Sequence, residues 1–386
     1  MFRALDRTRP PLIAGETIEV QVVVRNKGVG HTFPGGTNDS NEGWLEFSAA
    51  TADGKPIMHS GFLQGDQRVD PRAHFYHSKI VDRHSNLVAR RNAQDIYAPV
   101  YVNVIGPGTA DVVRYKVEVP ADAAGKSIKL KAKLNWRKFN RAYVEYVYAD
   151  KGTVPDIPIT TIESDEVELY VVASGTHREP PRDPLPDSEW VRFNDHGIGL
   201  LLKNDTRGAA QTFEELIRMS PARIDGYRNL ARTYFTDRKL DQAFELLKKC
   251  ETIKPGDPQT AWLWGQVLQR QGRYDKAAEA LQRVLEYFPN DRDTWGMLGG
   301  TLFLDQQFER ALAAYGNVLR IDPEDRNAHY HRMLCYRALG MEGQAKEAEI
   351  AYLKYQIDES AQEVTKEYRL RDGQAQFESQ RIHVHE

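Results

Sequence analysis

The chain has 386 residues, of which 41% are hydrophobic, and its 52 basic and 55 acidic side chains leave a formal net charge of −3. A chain of this length provides two or three domains with buried cores. The nearly balanced charge excludes a general attraction to nucleic acid or to an anionic membrane surface. No apolar run comes near the roughly 18 residues that a membrane span requires, so we expect no such span.

The chain begins MFRALDRTRPPLIAGE, which contains no apolar signal-peptide core. This opening leads almost directly into a strand-like segment. We therefore expect either a trimmed fragment or a subunit whose upstream part is missing.

Residues 1–174 carry the two-residue apolar period of half-buried β-strands. Apolar and polar residues alternate in TIEVQVVV, which begins at Thr17, and in SIKLKAKL, which begins at Ser127. Further strand-like segments between turn dipeptides read GWLEFSAAT, NLVARRN, DVVRYKVEV, RAYVEYVYA and DEVELYVV. Short strands without intervening helices predict an immunoglobulin-like antiparallel β-sandwich over residues 1–174.

A glycine-rich loop, GVGHTFPGGTNDSNEG, lies between two of these strands. Its glycines favour a tight loop that projects His31 from an edge of the sandwich. Asp39 and Glu42 offer oxygen ligands for calcium, although the spacing of a helix–loop–helix calcium site is absent. Turn formation explains the same two residues, so both interpretations stay open.

Two histidines of the segment AHFYH, His74 and His77, are three residues apart. This spacing suits a metal ion in a helical or irregular turn, whereas in a strand the two side chains face opposite sides. No third ligand follows from the spacing, and solvated loop histidines are the alternative. At the chain end, His383 and His385 share one side of any extended segment, with a frayed terminus as the alternative.

A proline-rich segment, residues 175–189, separates two patterns and is predicted to be a linker. After it, prolines recur every 34 residues, and small residues recur in the same register. The prolines are Pro221, Pro255, Pro289 and Pro323; the small residues are Ala209, Ala243, Ala277 and Ala311, and Gly197, Ala231, Gly265 and Gly299. This pattern resembles the tetratricopeptide repeat, a helical hairpin whose small residues let two helices approach closely.

We predict four clear repeats and a fifth, capping repeat over residues 190–357, the cap having a polar outer face. A polar C-terminal tail over residues 358–386 is expected to begin as a helix and to end irregularly. The first helix of each repeat lines the concave face of such an α-solenoid, which suits protein docking. Six side chains are expected there: Arg228, Arg232, Trp262, Gln266, Tyr330 and Arg337. A purely structural solenoid is the alternative.

Motifs for catalysis are missing from the sequence. Cys250 and Cys335 are its two cysteines and form neither CxxC nor CxxCH, so we expect both to fill the core. A nucleophile elbow, a phosphate loop and a dinucleotide fingerprint are also absent. We therefore expect no catalytic residues.

Three segments carry a wider resemblance: VVVRNKGVGHTFPGGTNDSNEGWLEF, the pair Ala73-His74, and NWRKFNRAYVEYVY. They resemble the C-terminal half of bacterial multihaem c-type cytochromes that end in tetratricopeptide repeats. The resemblance implies electron transfer in a periplasmic or extracellular protein, with His31, and second His74, as axial ligands of a haem. Covalent haem c requires CxxCH, so a missing upstream region or a partner cytochrome would have to supply it.

These patterns together predict a non-enzymatic accessory module of an extracytoplasmic electron-transfer assembly. In this hypothesis the sandwich docks against a multihaem protein and the repeats bind protein partners. The main alternative is a general protein-interaction scaffold without haem contact. A metal-dependent enzyme that uses the histidine-rich face is a third hypothesis.

Overall fold

The computed structural model describes residues 4–176, 189–355 and 360–385, so most of the predicted linker lies outside the described residues. The chain forms two compact units. The first, the β unit, contains the described residues of 4–176, 195–205 and 360–385. The second, the repeat unit, contains those of 189–194 and 206–355.

The β unit begins with the predicted strands. Its strands up to residue 172 are β1 (Leu12–Ile13), β2 (Thr17–Arg25), β3 (Glu42–Thr51), β4 (Pro56–Ser60), β5 (His74–Tyr76), β6 (Ser78–Val81), β7 (Ala98–Val102), β8 (Ala110–Glu118), β9 (Ser127–Arg137) and β10 (Thr160–Val172). Two α-helices belong to the same described stretch, α1 (Leu5–Thr8) and α2 (Arg141–Val147).

Two sheets enclose the core of the β unit. One has the order β1-β10-β9-β3-β4, with β5 also paired to β3, and the other contains β2 and β8; β6 and β7 pair separately. Inward-facing apolar residues of both sheets form one cluster, in which the rings of Phe47 and Tyr115 stack at 4.2 Å. The sandwich is not wholly antiparallel, because β1 pairs with β10 in parallel.

Two strand predictions in this region are wrong. The segment RAYVEYVYA contains helix α2, because Asn140 caps its first turn by accepting a hydrogen bond from the Tyr143 backbone N–H at 2.8 Å. The segment NLVARRN contains no named strand. Within it, Leu87 forms an isolated bridge to Val81 and Arg91 has a φ angle of +56°, and Ser85, just before the segment, has a φ angle of +62°.

Paired helices follow with the predicted period. They are α3 (Trp190–Leu202), α4 (Thr206–Met219), α5 (Ile224–Thr236), α6 (Leu240–Ile253), α7 (Pro258–Arg270), α8 (Tyr274–Tyr287), α9 (Arg292–Leu304), α10 (Phe308–Ile321), α11 (Arg326–Ala338) and α12 (Glu342–Lys354). Each predicted closing proline lies two positions after the second helix of its pair. Aspartates cap α7, α9 and α11 at the same period, at Asp257, Asp291 and Asp325.

Small residues bring the paired helices together, as their register predicts. The alanines at 209, 243, 277 and 311 are each 0% exposed. A Cβ atom added at Gly265 would lie 2.7 Å from the Leu281 side chain, and one at Gly299 would lie 2.8 Å from the Tyr315 ring. In contrast, the capping helix α12 does not have the wholly polar outer face that we expected, because Ile350 and Leu353 are exposed.

The segment after the repeats belongs to the β unit. It contains α13 (Ser360–Arg371), α14 (Gly373–Glu378) and β11 (Val384–His385). The expected helical start is present, and an irregular stretch follows α14, but the described part of the tail ends in the two-residue strand β11. β11 pairs in parallel with β8, His385 opposite Tyr115, and Lys79 lies 2.6 Å from the Asp372 carboxylate. Within the described part of the chain, no helix combines the length and apolarity needed to cross a membrane.

Candidate functional site

The glycine-rich loop holds His31 on the surface of the β unit. Asn26 anchors the loop by donating to the carbonyls of His31 and Ile105, at 2.8 and 2.9 Å. The His31 ring is exposed, and its Nδ1 lies 2.7 Å from the Thr32 carbonyl oxygen, leaving Nε2 outward. Gly35 lies directly beside the ring, since a Cβ there would lie 2.7 Å from it.

The two carboxylates considered for calcium have different surroundings. Arg137 donates to Glu42 from Nε at 2.6 Å and to the Gln67 carbonyl from Nη1 at 2.7 Å. Asp39 contributes its backbone carbonyl to Asn140. Because the Arg137 guanidinium pairs with Glu42, the structure supports bracing of the loop by this residue, and the calcium interpretation of Asp39 and Glu42 stays a prediction.

Four side chains of the β unit, which come from two segments far apart in the sequence, converge at one place. His74 lies in β5 and Glu378 is the last residue of α14. His385 lies in β11, and His383 directly precedes this strand. One ligand atom from each lies within 4.8 Å of those of the other three. We call this group the histidine cluster. His74 is 1% exposed and both Glu378 and His385 are 3% exposed, so the cluster is buried.

Each imidazole of the histidine cluster has one ring nitrogen held by an oxygen acceptor outside the cluster. His74 Nε2 lies 3.1 Å from an Asp111 carboxylate oxygen. His383 Nδ1 and His385 Nδ1 lie 2.8 and 2.9 Å from the carbonyl oxygens of Gln380 and Arg72. Because these acceptors carry no proton to donate, each held nitrogen carries a proton, and in the neutral form of each ring the other nitrogen presents a lone pair toward the cluster.

The free atoms of the histidine cluster have no donor opposite them. His74 Nδ1, His385 Nε2 and Glu378 Oε1 are buried without a hydrogen-bond partner among the described residues. The contacts inside the cluster are long: His74 Nδ1 lies 3.6 Å, and His383 Nε2 3.9 Å, from Glu378 Oε2. Burial lowers the pKa of His383 to about 4 and that of His385 to about 3, so both are neutral at pH 7.

Two carboxylates near His74, half-buried Asp111 and buried Glu378, differ in charge compensation. Burial disfavours ionised Asp111, but its hydrogen bond to His74 and the ammonium of Lys203, 2.9 Å away, outweigh burial and hold its pKa below the usual range. For Glu378 burial dominates and raises the pKa of the carboxyl, with one hydrogen bond from Asn103 at 3.1 Å. Among the described residues Glu378 forms no ion pair with a lysine or arginine, and the groups within ion-pair distance of its carboxyl are the rings of His74 and His383.

A cleft of about 580 Å³ adjoins the histidine cluster, because Glu378 and Asp111 are among its lining residues. Lys203, Arg369 and Arg381 also line it. Glu378 therefore borders both the cleft and the histidine cluster.

The sequence predictions for these histidines had different outcomes. His383 and His385 do share a side, as expected for an extended segment. His74 and His77 do not come together, since His77 Nε2 lies 2.6 Å from the Tyr101 hydroxyl, outside the histidine cluster. His74 is 1% exposed, so the surface of the β unit does not present its ring, and its role as an axial haem ligand stays a prediction. Sequence reasoning missed Glu378, because nothing in its local sequence distinguishes it from a solvated helix-terminal glutamate.

The side chains predicted for the concave face of the repeats differ in whether ion pairs or packing within the chain already engage them. Arg228 is engaged by Asp257 at 2.9 Å and Asp225 at 3.1 Å. Arg337 pairs with Glu349 at 3.0 Å. A further member, Trp262, packs partly against the cores of adjoining repeats. Two others differ in burial: Gln266 is half-buried and Tyr330 is 37% exposed.

Arg232 differs from the other arginines on this face. It is half-buried, one helical turn after Arg228 in α5, and its guanidinium has neither an ion pair nor a hydrogen bond in the part of the chain that the structure describes. Burial, and then the charge of Arg228, lower the pKa of Arg232. An anion at this place would relieve both effects.

Comparisons with known proteins identify the helical region. Residues 263–325 match the tetratricopeptide repeat, and residues 203–284 match a family described as anaphase-promoting complex, cyclosome, subunit 3. The chain therefore contains tetratricopeptide repeats, and its fold is a β-rich region followed by an α-solenoid of these repeats. The repeats are the part of the cytochrome resemblance that these matches support.

Solved structures of MamA are similar to part of the chain. "Crystal structure of MamA" is 20% identical, with 45% of this chain and 96% of that chain covered and a TM-score of 0.39. "MamA 41-end from Desulfovibrio magneticus RS-1" is 17% identical, with 43% and 94% covered and a TM-score of 0.41. No curated protein matches the sequence.

Proposed function

We propose that the protein is a docking scaffold whose repeat unit binds an acidic, extended segment of a partner protein on its concave face. The observation that carries the proposal is Arg232, a half-buried guanidinium without an anionic partner among the described residues. A guanidinium forms paired hydrogen bonds with a carboxylate, which makes Arg232 suited to an Asp or Glu side chain.

The repeat register gives the concave face a recess beside this charge. Positions 228, 262, 296 and 330 are equivalent in successive repeats and hold Arg228, Trp262, Gly296 and Tyr330. A Cβ atom added at Gly296 would meet no atom within 4 Å. The backbone of α9 is therefore bare between two aromatic positions, and this leaves room for a partner's apolar side chain.

Fluorescence anisotropy with a labelled peptide tests this proposal. The probe contains Glu and Phe residues, and a matched probe contains Gln in place of every Glu. We expect the Glu peptide to bind more tightly, with an affinity that falls as salt rises. Arg232→Ala should weaken its binding about tenfold, and Gly296→Leu, which fills the recess, should weaken the binding of both peptides.

Arg238→Ala is the matched control, because Arg238 is an exposed arginine just after α5. It should leave the affinity unchanged. Equal affinity for the Glu and Gln peptides, or equal affinity of the wild-type chain and Arg232→Ala, would contradict the acidic-segment proposal.

A second candidate function is contact with a haem carried by another protein, in line with the cytochrome resemblance. The observation that favours it is the exposed His31 ring, whose Nδ1 is held by the Thr32 carbonyl. An imidazole fixed in this way can offer Nε2 to iron. The chain cannot attach haem c itself, since it has no CxxCH motif.

Absorption spectroscopy separates this second candidate from the docking scaffold. A haem c peptide with a vacant axial position serves as the probe. If His31 binds iron, adding the protein shifts the Soret band toward the low-spin form, and His31→Ala removes the shift while the exposed-histidine control His84→Ala keeps it. The candidate fails if the spectrum does not change or if all three proteins change it equally.

A further inference from the structure

We propose that His74, Glu378, His383 and His385 bind one divalent transition-metal ion, with zinc as the ion that the ligand set fits best. The proposal is independent of the docking function, because these four side chains belong to the β unit. It rests on their convergence within 4.8 Å and on three buried ligand atoms, of His74, His385 and Glu378, that have no hydrogen-bond partner among the described residues.

The arrangement of lone pairs requires a positive centre. Three imidazole nitrogens and one carboxylate face one another, and their outer nitrogens are already committed to Asp111 and two backbone carbonyls. Placing four acceptors together in a buried site is unfavourable without a cation or a shared proton. A single proton can bridge one pair of acceptors, whereas a metal ion engages all four at once.

Outer contacts of this kind are typical of metal-binding histidines. Such a histidine generally donates its second ring N–H to a carboxylate or a backbone carbonyl, which fixes the ring and its tautomer. In the histidine cluster, His74 uses Asp111, and His383 and His385 use carbonyl oxygens. Asp111 is therefore a positioning residue for the site and not a ligand.

Three nitrogen ligands and one oxygen ligand define the class of metal. Imidazole favours zinc, copper, iron and nickel, while calcium and magnesium require oxygen ligands. Four protein ligands fill the tetrahedral shell of zinc, whose adjacent ligands stand roughly 3.3 Å apart, so the site closes modestly on binding. A closed shell is typical of structural zinc rather than of catalysis.

The location of the ligands indicates what the metal would do. Glu378, His383 and His385 come from the last residues of the chain, whereas His74 comes from β5. A bound ion would thus fasten the C-terminal segment to the sandwich. Since the ligands are assembled only in the folded chain, binding free energy would add to the stability of this docked segment.

Zinc binding by the full chain is the direct test. After treatment with a chelator, the protein is titrated calorimetrically with zinc, and the metal content after gel filtration is measured by mass spectrometry. We expect one zinc ion per chain. The double variant His383→Ala/His385→Ala should bind none above background, and Asp111→Asn should bind about 10–100-fold more weakly.

Matched variants distinguish the histidine cluster from other histidines. His31→Ala and His84→Ala remove exposed histidines and should retain one zinc ion. Glu378→Gln keeps the side-chain shape and should still weaken binding. Wild-type protein that binds no zinc would overturn the proposal in favour of a shared proton, and a double variant that still binds one ion would place the metal elsewhere.

Two readouts on the wild-type chain do not depend on how the variants fold. Cobalt substitution should give the visible absorption of a tetrahedral ion with nitrogen and oxygen ligands. Hydrogen exchange of residues 378–385 should slow when zinc is added, while exchange in α7 to α10 should not change. Octahedral cobalt spectra, or unchanged exchange at residues 378–385, would contradict a closed site at this place.

Discussion

The two units of this protein gain their order in different ways. In the repeat unit, each helix packs against its neighbours in the chain, and small residues such as Gly299 set the distance. In the β unit, the core joins residues from Leu12 to Val171, and the chain end returns at His385 to pair with β8. Local contacts thus dominate one unit and distant contacts the other, so a defect should spread differently in each.

Removal of a buried phenylalanine from each unit should cause the largest loss in the free energy of unfolding. It should also show whether a defect stays local or spreads through the unit. Phe47→Ala in the sandwich and Phe213→Ala in α4 should each cost about 3–5 kcal/mol. We expect Phe47→Ala to accelerate hydrogen exchange throughout both main sheets, because they share one core. Phe213→Ala should affect the adjoining helices and spare α9 to α12. Exchange changes confined to β3 in Phe47→Ala would contradict the comparison.

The stability of the β unit should fall in acid through His196. Burial lowers the pKa of His196 to about 4, and its Nε2 donates to Gln21 at 2.6 Å. Below the ordinary histidine pKa of about 6.5, the unfolded chain takes up a proton that the folded chain does not. This one group therefore removes about 1.4 kcal/mol of stability per pH unit as pH falls from about 6.5 to about 4.

Urea unfolding at several pH values measures this contribution. His196→Gln keeps a polar side chain opposite Gln21 and should reduce the slope of unfolding free energy against pH. The exposed control His84→Gln should leave the slope as in the wild type. Parallel slopes for all three proteins would show that His196 does not titrate differently on folding.

Two glycines of α9 should respond oppositely to alanine. Gly299→Ala places a Cβ 2.8 Å from the Tyr315 ring and should destabilise the repeat unit by about 1–3 kcal/mol. Gly296→Ala meets open space and should stabilise it by about 0.5–1 kcal/mol, since alanine favours the helix. Thermal unfolding of both variants measures the contrast, and the same sign for both would refute the packing role of Gly299.

The smallest effect is expected at the end of the solenoid. The side chains of Arg337 and Glu349 are 46% and 42% exposed, so their ion pair should contribute at most about 1 kcal/mol. Arg337→Ala should therefore leave chemical unfolding almost unchanged. A larger loss would mean that the pair supports packing of α11 against α12, and the comparison between local and distant contacts would need revision.

The proposed sites were accessible to sequence reasoning to different degrees. The concave face follows from the repeat register, so Arg232 could be named in advance. That Arg232 has no ion pair among the described residues could not, because only the structure shows that the nearby Asp225 and Asp257 pair with Arg228 instead. In the glycine loop, exposure of His31 agrees with the expectation. The histidine cluster was visible only in part: the spacing of His383 and His385 indicated a shared side, and Glu378 gave no signal.

The helical hairpins, their 34-residue period and most strands could be predicted from sequence, because they depend on apolar spacing, small residues and prolines that act within a few positions. The pairing of the C-terminal residues with β8, which brings Glu378, His383 and His385 to His74, is visible only in the folded chain. No local pattern encodes that meeting. It results from the pairing of β11 with β8, which is far away in the sequence. This pairing places the four side chains together where they are largely shielded from water.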